Sequence, residues 1–248
     1  MNHSQIKGNL KNVKDRMRQA CEATHRDPDT VQLLLATKTV SAENINRAIA
    51  YGETLLGESK AQELQEKYAQ INHEQSDMHF IGHLQTNKVN QVLKHNITCI
   101  HSVDRLKLGR KIHNRLMKEN RELDILVQVN TSYEESKFGV APEDTLDLIK
   151  QLTEFDTLHI KGLMTIGKLS SDPKEARKCF RLLKSIQQDV KKENLPGVEM
   201  DVLSMGMTND FEIAIEEGAT MVRVGTAIFG ERMYPDSYYW NEQVKIQD

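Results

Sequence analysis

The sequence has few cysteines, and the three that it has lie far apart. Cys21, Cys99 and Cys179 are odd in number and widely spaced, so they indicate neither a disulfide framework nor a zinc site. Every apolar run is far shorter than the roughly 18 residues that a membrane-spanning helix needs. Residues 1–14 are polar and lack the apolar core of a secretory signal. We therefore expect a cytoplasmic protein without a membrane segment.

The chain also lacks an excess of charge of one sign and a linker between domains. It carries 33 basic and 36 acidic residues, for a net charge of −3, and this balance gives no indication of a nucleic acid or anionic membrane partner. No stretch rich in proline, glycine or serine divides the 248 residues. A chain of this length without a linker is expected to form one domain, residues 1–248.

Strand-like apolar runs alternate with helix-like segments along the chain. An amphipathic helix, Ile6–Thr24, comes first, because its apolar residues recur at helical spacing. The predicted strands are Val31–Thr37, Thr54–Gly57, Met78–Ile81, Thr98–His101, Asp124–Val129, Leu158–Met164, Met200–Leu203 and Met221–Val224. The predicted helices between them are Ser41–Tyr51, Ser59–Ile71, Lys88–Lys94, Asp104–Asn120, Glu143–Leu152, Pro173–Asn194 and Asp210–Glu217, and a short helical tail follows the last strand.

Regular alternation of this kind indicates an α/β protein with a parallel sheet. Eight strand–helix units in a chain of this length favour a closed (β/α)₈ barrel of the TIM type, here with an extra N-terminal helix. An open doubly wound sheet is the alternative, but the Gly-x-Gly-x-x-Gly that usually follows its first strand is absent. In a barrel, the active site lies at the carboxyl ends of the strands.

Lys38 directly follows the first apolar strand. An amine near apolar surroundings has a lowered pKa, because burial disfavours its charged form. A lysine that is partly neutral can attack a carbonyl carbon and form a Schiff base. The alternative is an ordinary lysine that reaches into water from a strand end. The other strand ends decide between these interpretations.

The ends of the last two strands indicate a phosphate site. Ser204 to Asp210 follow the seventh strand and contain Gly206 and Thr208, and Gly225-Thr226 follows the eighth. Loops at these positions of a barrel frequently bind phosphate, because glycine allows close approach and free backbone N–H groups favour an anion. The threonine hydroxyls can add donors. The alternative is that both glycine turns are only tight connections.

Lys38 together with an anion pocket suggests a carbonyl ligand that bears a phosphate. Pyridoxal phosphate fits, with its aldehyde on the lysine and its phosphate in the pocket. A sugar phosphate in a Schiff-base aldolase fits nearly as well on these grounds. Arg223 favours the first, because a permanently charged guanidinium placed against the pyridine nitrogen would keep that nitrogen unprotonated. A salt bridge from Arg223 to Asp201 or Glu231 is the alternative interpretation.

Several segments, in the same order along the chain, resemble the pyridoxal phosphate homeostasis proteins. These segments are Leu35–Thr39, Gly57–Ser59, His79–Lys88, Gly162–Met164, Leu203–Asp210 and Val222–Gly230. The resemblance extends from about Val31 to Glu231. It implies a barrel similar to the N-terminal domain of alanine racemase. It also implies a role in keeping, carrying or delivering the cofactor, without an established catalytic reaction and with pyridoxal phosphate-dependent apoenzymes as possible recipients.

The resemblance implies the cofactor-binding residues and the state of the protein. Lys38 would be the Schiff-base lysine, Thr208, Gly225 and Thr226 would lie near the phosphate, and Arg223 would lie near the pyridine nitrogen, with Ser204 as a further contact. The family usually has Gly-Glu-Asn where this chain has Gly57-Glu58-Ser59. If that asparagine orients the cofactor ring, the contact is weaker here. The resemblance also argues against racemase activity, because alanine racemase carries a second, β-rich domain that supplies a catalytic tyrosine and completes a dimeric site, and this chain has no room for it. We expect a monomer.

Three other functions remain open from the sequence. They are a racemase-like amino-acid enzyme that uses pyridoxal phosphate, a Schiff-base aldolase, and an interaction scaffold. A catalytic role for Tyr234, Tyr238 or Tyr239 is not expected, because surface or packing positions suit them better. His79 and His83 have the spacing of a helical metal pair, but Phe80-Ile81-Gly82 between them indicates strand and turn, so no metal site is expected.

Overall fold

The computed structural model describes residues 3–168 and 172–231 as a closed barrel of parallel strands surrounded by helices. The strands are β1 (Gln32–Ala36), β2 (Leu55–Glu58), β3 (Asp77–Phe80), β4 (Ile97–Val103), β5 (Leu123–Gln128), β6 (Leu158–Met164), β7 (Val198–Ser204) and β8 (Met221–Val224). Each strand pairs with the next along the chain, and β8 closes the barrel on β1. The predicted (β/α)₈ barrel is therefore confirmed.

The helices follow the strands in the expected alternation. They are α1 (His3–Ala23), α2 (Ala42–Ala50), α3 (Ala61–Lys67), α4 (Val89–Val92), α5 (Leu106–Met117), α6 (Thr145–Leu152), α7 (Pro173–Lys192), α8 (Phe211–Glu216) and α9 (Thr226–Phe229). The extra helix α1 packs against α8 and α9, and Asn9 donates a hydrogen bond to the carbonyl oxygen of Ile228. Within the described ranges, no helix is both long enough and apolar enough to cross a membrane.

Three helices are shorter than predicted because one end of each is a 3₁₀ turn, and for the predicted helix Glu143–Leu152 this turn spans Pro142–Asp144 before α6. The predicted helix Ser59–Ile71 is α3 followed by a 3₁₀ turn over Tyr68–Gln70, and the predicted helix Lys88–Lys94 is α4 preceded by one over Thr86–Lys88. The predicted tail is α9 as far as Phe229. Tyr234, Tyr238 and Tyr239 lie outside the described residues, as does everything after Glu231, so the single domain 1–248 stays a prediction.

The core has two parts of very different character. A large apolar layer lies between the strands and the helices. Inside the barrel, a small apolar cluster of Cys99, Leu126 and Met164 occupies one side. The buried polar side chains in the rest of the interior include His79, His101, Ser204 and Arg223. A barrel interior is ordinarily filled by branched apolar residues, so this polar interior points to a functional role.

Candidate functional site

Lys38 lies at the carboxyl mouth of the barrel, two residues after the end of β1. Successive strand residues point to opposite faces, so Leu34 and Ala36 lie on one face of β1. That face is the barrel interior, because Leu34 is the register partner of Arg223, which is buried inside the barrel. Lys38 is half-buried. The structure therefore places the turn that contains Lys38 at the carboxyl mouth, and its role towards a ligand stays a prediction.

The turn that carries Lys38 is fixed by a second lysine, Lys67 at the end of α3. The ammonium group of Lys67 donates to the carbonyl oxygens of Thr37 and Val40, at 2.8 and 3.3 Å. It also pairs with Glu58 Oε1 at 2.6 Å. The two carbonyl groups flank Lys38 on both sides, so Lys67 ties this turn to the end of β2.

Thr39, the residue after Lys38, has an unusual backbone conformation. Its φ is 64°, in the left-handed region that a β-branched residue rarely adopts. Its N–H donates to Glu63 Oε2 at 2.7 Å. Strained backbone of this kind persists only where the surrounding structure over-determines it, and it is concentrated at functional sites. Contacts from α3 therefore hold the Lys38 turn in a conformation that the local sequence does not favour.

Glu58 is the buried anion beneath this turn. Its side chain is fully buried, its Oε1 accepts from Thr37 Oγ1 at 2.5 Å, and its Oε2 has no hydrogen-bond partner. Burial raises the pKa of the Glu58 carboxyl, and the Lys67 ammonium and the Thr37 hydroxyl oppose that rise. Lys67 is thus the principal group that stabilises the ionised form of this carboxylate.

Arg223 lies inside the barrel and has no carboxylate partner among the described residues. It is 5% exposed, and its guanidinium donates to Ser204 Oγ and to the carbonyl oxygen of Thr165, both at 2.8 Å. The salt bridges among the described residues include none to Arg223, and Asp201, its predicted alternative partner, pairs with Lys191. Burial lowers the pKa of Arg223 to about 10, against the opposing charge of Asp210. Arg223 is therefore a buried cation at neutral pH.

A row of hydrogen bonds continues from Arg223 across the barrel. Ser204 Oγ lies 3.1 Å from His101 Nδ1, and His101 Nε2 lies 2.8 Å from His79 Nδ1. The far nitrogen of His79 lies 3.5 Å from Asp77 Oδ2, and this contact is the main reason why the pKa of Asp77 is lowered. Burial is the main reason why the pKa of His101 is well below its usual value, so the ring is neutral.

One assignment of hydrogens satisfies the whole row. A guanidinium can only donate, so Ser204 accepts from Arg223 and its own hydroxyl donates to His101 Nδ1. His101 then donates from Nε2 to His79, and His79 donates to the Asp77 carboxylate. The row therefore runs from a buried cation near the carboxyl mouth to a carboxylate at the opposite mouth, with every donor pointing the same way.

The loops after β7 and β8 meet as predicted. The Thr226 hydroxyl donates to Thr208 Oγ1 at 3.0 Å. Gly225 lies close to β1, since a Cβ placed on it would be 2.9 Å from the carbonyl oxygen of Ala36. The absence of a side chain at Gly225 therefore lets β8 approach the strand end that carries Lys38. The carboxyl mouth of the barrel therefore contains the hydroxyl groups of Thr208 and Thr226, the turn at Gly225, and the end of β1 that leads into Lys38.

Ser204 differs from the other predicted residues in its surroundings. Its hydroxyl is fully buried between Arg223 and His101. Its contacts here are to the side chain that it positions, and a direct contact with the cofactor stays a prediction.

Sequence reasoning did not single out His101 or the Thr165 carbonyl, because only the closed barrel brings β4, β6, β7 and β8 around one point.

His79 and His83 do not form a pair. His79 lies inside the barrel, whereas the His83 ring stacks on Phe138 with a centroid distance of 3.6 Å and lies 3.7 Å from Asp104.

Ser59, which stands where the family usually has asparagine, is half-buried. Its backbone is closely approached by Gly82, where a Cβ would meet the Ser59 carbonyl oxygen at 2.0 Å.

Comparison with known proteins identifies the family to which this barrel belongs. Residues 3–233 match the family described as the alanine racemase N-terminal domain. A pyridoxal phosphate homeostasis protein of Aquifex aeolicus is 41% identical over 225 residues, which cover 91% of this chain and 97% of the relative.

Two solved structures are similar over nearly their whole length. An unknown protein from Bifidobacterium adolescentis is 35% identical, with a TM-score of 0.88, over 92% of this chain and 95% of that one. PipY of Synechococcus elongatus, solved with pyridoxal phosphate bound, is 29% identical, with a TM-score of 0.80, over 91% of this chain and all of PipY. On the shared sequence and the shared barrel, this chain belongs to the pyridoxal phosphate homeostasis protein family.

Proposed function

We propose that this chain binds pyridoxal 5′-phosphate at the carboxyl mouth of its barrel, with Lys38 Nζ as the point of covalent attachment. Its role is to buffer, carry or deliver the cofactor in the cytoplasm, as a monomer, to apoenzymes that depend on it. The family supports the proposal, since curated relatives are named for pyridoxal phosphate homeostasis and PipY was solved with the cofactor bound.

The observation that carries the proposal is the donor set at the mouth. Lys38 follows β1 at the carboxyl mouth, and Gly225 brings β8 against that strand. The Thr208–Thr226 hydroxyl pair offers donors to a phosphate. Arg223 is a buried cation whose bonds go to a hydroxyl and a carbonyl. An amine, hydroxyl donors and a cation without a carboxylate partner fit an aldehyde, a phosphate and an aromatic nitrogen.

Attachment requires only groups that the mouth contains. Lys38 Nζ attacks the aldehyde carbon, a carbon–nitrogen double bond forms in place of carbon–oxygen, and the oxygen leaves as water. The reverse reaction, in which water attacks the same carbon, returns the free aldehyde and the lysine. Binding and release therefore need no other reactant, as a carrier requires.

Arg223 bears on why the site would hold the cofactor rather than transform amino acids. Pyridoxal phosphate, when bound, supplies an electron sink whose strength depends on the partner of its ring nitrogen. With a pKa of about 10, Arg223 stays charged at neutral pH and would donate to that nitrogen without transferring a proton to it. Ser204 and the Thr165 carbonyl hold the guanidinium in place. This arrangement favours storage over turnover.

Visible absorption spectra test the proposal. The wild-type protein, mixed with pyridoxal phosphate and freed of excess by gel filtration, should retain a yellow chromophore that Lys38→Ala loses. Lys111→Ala, which changes an exposed lysine of α5, serves as the matched control and should stay yellow. A wild-type protein that takes up no cofactor would overturn the proposal.

Two further measurements separate a carrier from an enzyme on the same barrel. In heavy water, a panel of L-amino acids should acquire no deuterium at Cα beyond that seen with Lys38→Ala. Borohydride reduction followed by mass spectrometry should attach pyridoxal phosphate, rather than a sugar phosphate, to the Lys38 peptide. Deuterium exchange that depends on Lys38 would show that the protein is a racemase-like enzyme and would overturn the proposed carrier role.

A further inference from the structure

A second group of reactive side chains lies at the amino-terminal mouth of the barrel, at the opposite ends of the strands from Lys38. A cavity of about 230 Å³ opens there, and the first residues of several strands line it, among them Gln32, Asp77 and Met221. His79, Cys99 and His101 form its inner part. None of the three has a role in the proposed attachment of pyridoxal phosphate.

The register of the sheet brings these three side chains together. His79 on β3 is the register partner of Cys99 on β4, and His101 lies two residues further along the same strand. All three are buried, at 7%, 5% and 0% exposure. One ligand atom from each, an imidazole nitrogen or the thiol sulfur, lies within 4.8 Å of the others.

We propose that His79, Cys99 and His101 form a binding site for a divalent transition metal ion of the zinc class. Imidazole nitrogen and thiolate sulfur are the ligands that zinc prefers, at about 2.0–2.1 Å and 2.3 Å. Tetrahedral geometry at those bond lengths separates ligand atoms by about 3.3–3.6 Å. Small rotations of the observed side chains reach that spacing.

Both histidines are already oriented for metal binding by partners on their outer nitrogens. Asp77 Oδ2 lies 3.5 Å from His79 Nε2, and Ser204 Oγ lies 3.1 Å from His101 Nδ1. The inner nitrogens, His79 Nδ1 and His101 Nε2, face each other at 2.8 Å. Hydrogen-bond partners of this kind fix the orientation and the protonation of metal-bound imidazoles in proteins.

The protons balance on binding. Without metal, a single proton lies between the inner nitrogens, and Cys99 carries its thiol proton. The metal takes the place of the shared proton, which moves to His101 Nδ1. The Ser204 hydroxyl then turns away and its oxygen accepts from both His101 Nδ1 and Arg223. The thiol proton leaves to solvent. The ion thus gains two neutral imidazoles and one thiolate, with a fourth position open towards the cavity for water.

The entrance to the cavity favours cations. Four carboxylates line it, those of Asp77, Asp124, Glu199 and Asp201, against one lysine, Lys161. Lys161 pairs with Glu199 at 2.6 Å. A cleft lined mostly by one sign of charge raises the local concentration of the opposite ion. The path from solvent to the three ligands is therefore suited to a divalent cation.

Cobalt(II) is the probe that tests the site. The full-length protein is dialysed against a chelator, titrated with cobalt chloride, and followed as a difference spectrum so that any cofactor absorbance cancels. We expect a thiolate-to-cobalt charge-transfer band that saturates at one equivalent and disappears when zinc is added. No such band in the wild type would overturn the proposal.

Matched variants assign the ligands. Cys99→Ser should abolish the charge-transfer band, whereas Cys179→Ser, which changes another buried free cysteine, should keep it. Asp77→Asn should weaken zinc binding by about 10–100-fold, the usual effect of removing a partner of a metal-bound histidine. A band that survives in Cys99→Ser would overturn the assignment.

If Cys99→Ser does not fold, X-ray absorption spectroscopy of the zinc-loaded wild type shows whether a thiolate and imidazoles bind the metal. Sulfur scattering at about 2.3 Å together with imidazole nitrogen at about 2.0–2.1 Å supports the site. An oxygen-only zinc environment would overturn it. Because the site is distinct from the carboxyl mouth, Lys38→Ala should bind cobalt as the wild type does, so this test stands or falls separately from the proposed function.

Discussion

Replacing Lys67 by methionine tests whether the turn that carries Lys38 depends on its buried ion pair. The change keeps a long apolar stem and removes the ammonium group. Glu58 Oε1 then retains the Thr37 hydroxyl as donor, and the Thr37 carbonyl retains the Val40 N–H. Both the Thr37 and the Val40 carbonyl lose the Lys67 ammonium as a donor. The variant therefore leaves a buried carboxylate without its cation.

The size of the effect follows from the burial of the pair. Removing one partner of a buried ion pair costs about 3–5 kcal/mol. Glu58 can avoid part of that cost by taking up a proton, because burial already raises the pKa of its carboxyl. We therefore expect a loss near the lower end, about 3 kcal/mol at about pH 8, which lowers the melting temperature by about 6–12 °C in a protein of this size.

The dependence on pH has a definite sign. An acid whose pKa is higher in the folded than in the unfolded protein stabilises the fold below its unfolded pKa, and that stabilisation is lost as the pH rises through the folded pKa. In Lys67→Met the pKa of Glu58 rises further. The deficit relative to the wild type should therefore be smaller at about pH 5 than at about pH 8.

Urea unfolding followed by circular dichroism at both pH values measures the effect. Lys111→Met, at an exposed position, is the control and should stay within about 0.5 kcal/mol of the wild type. Adding Glu58→Gln to Lys67→Met should recover part of the loss, because the buried charge is gone. A Lys67→Met protein as stable as the control at both pH values would refute the reasoning.

Three further predictions use other parts of the barrel. Gly8→Ala should stabilise the exposed middle of α1 by about 0.5–1 kcal/mol in thermal unfolding, whereas Gly162→Ala, whose Cβ would lie 1.9 Å from a backbone oxygen, should destabilise the protein severely or prevent folding. Ser204→Ala should cost about 2 kcal/mol even without cofactor, because a buried donor of Arg223 loses its acceptor; a loss seen only with pyridoxal phosphate present would contradict this. Burial is the main reason why the pKa of His95 is below 6.5, so its contribution to stability is complete above about pH 6.5 and decreases as the pH falls. His95→Gln should flatten the dependence of the unfolding free energy on pH in urea titrations between about pH 7 and about pH 5, and an unchanged slope would count against it.

Local sequence patterns predicted the repeating architecture well, because each strand carries its own apolar signal. The bounds of β6 and β8 agree with prediction, and most other ends differ by one or two residues. The shortened α3 and α4 were harder to predict, since the apolar spacing of a 3₁₀ turn resembles that of a helix end. Lys38, Gly225 and Thr226 could be placed at the mouth because they directly follow strands.

Contacts inside the barrel could not be predicted, because they join strands that are distant in the chain. His101 and Ser204 are 103 residues apart, and no local pattern marks them as neighbours. Phe80-Ile81-Gly82 argued against a pair of His79 and His83, but no local pattern indicated that the register of β3 against β4 places His79 beside Cys99. Lys67 gave no signal at all, because a lysine at a helix end is ordinarily a solvated residue.

The bonds from Lys67 and Glu63 to the turn around Lys38 affect how a ligand would be released. A flexible loop that became ordered on binding would lose conformational entropy at that moment, and its reopening would set the rate of escape. Here that ordering has already taken place during folding. A cofactor attached to Lys38 would therefore leave when water or another amine attacks the attached carbon. The concentration and the reactivity of that nucleophile would then set the lifetime of the complex.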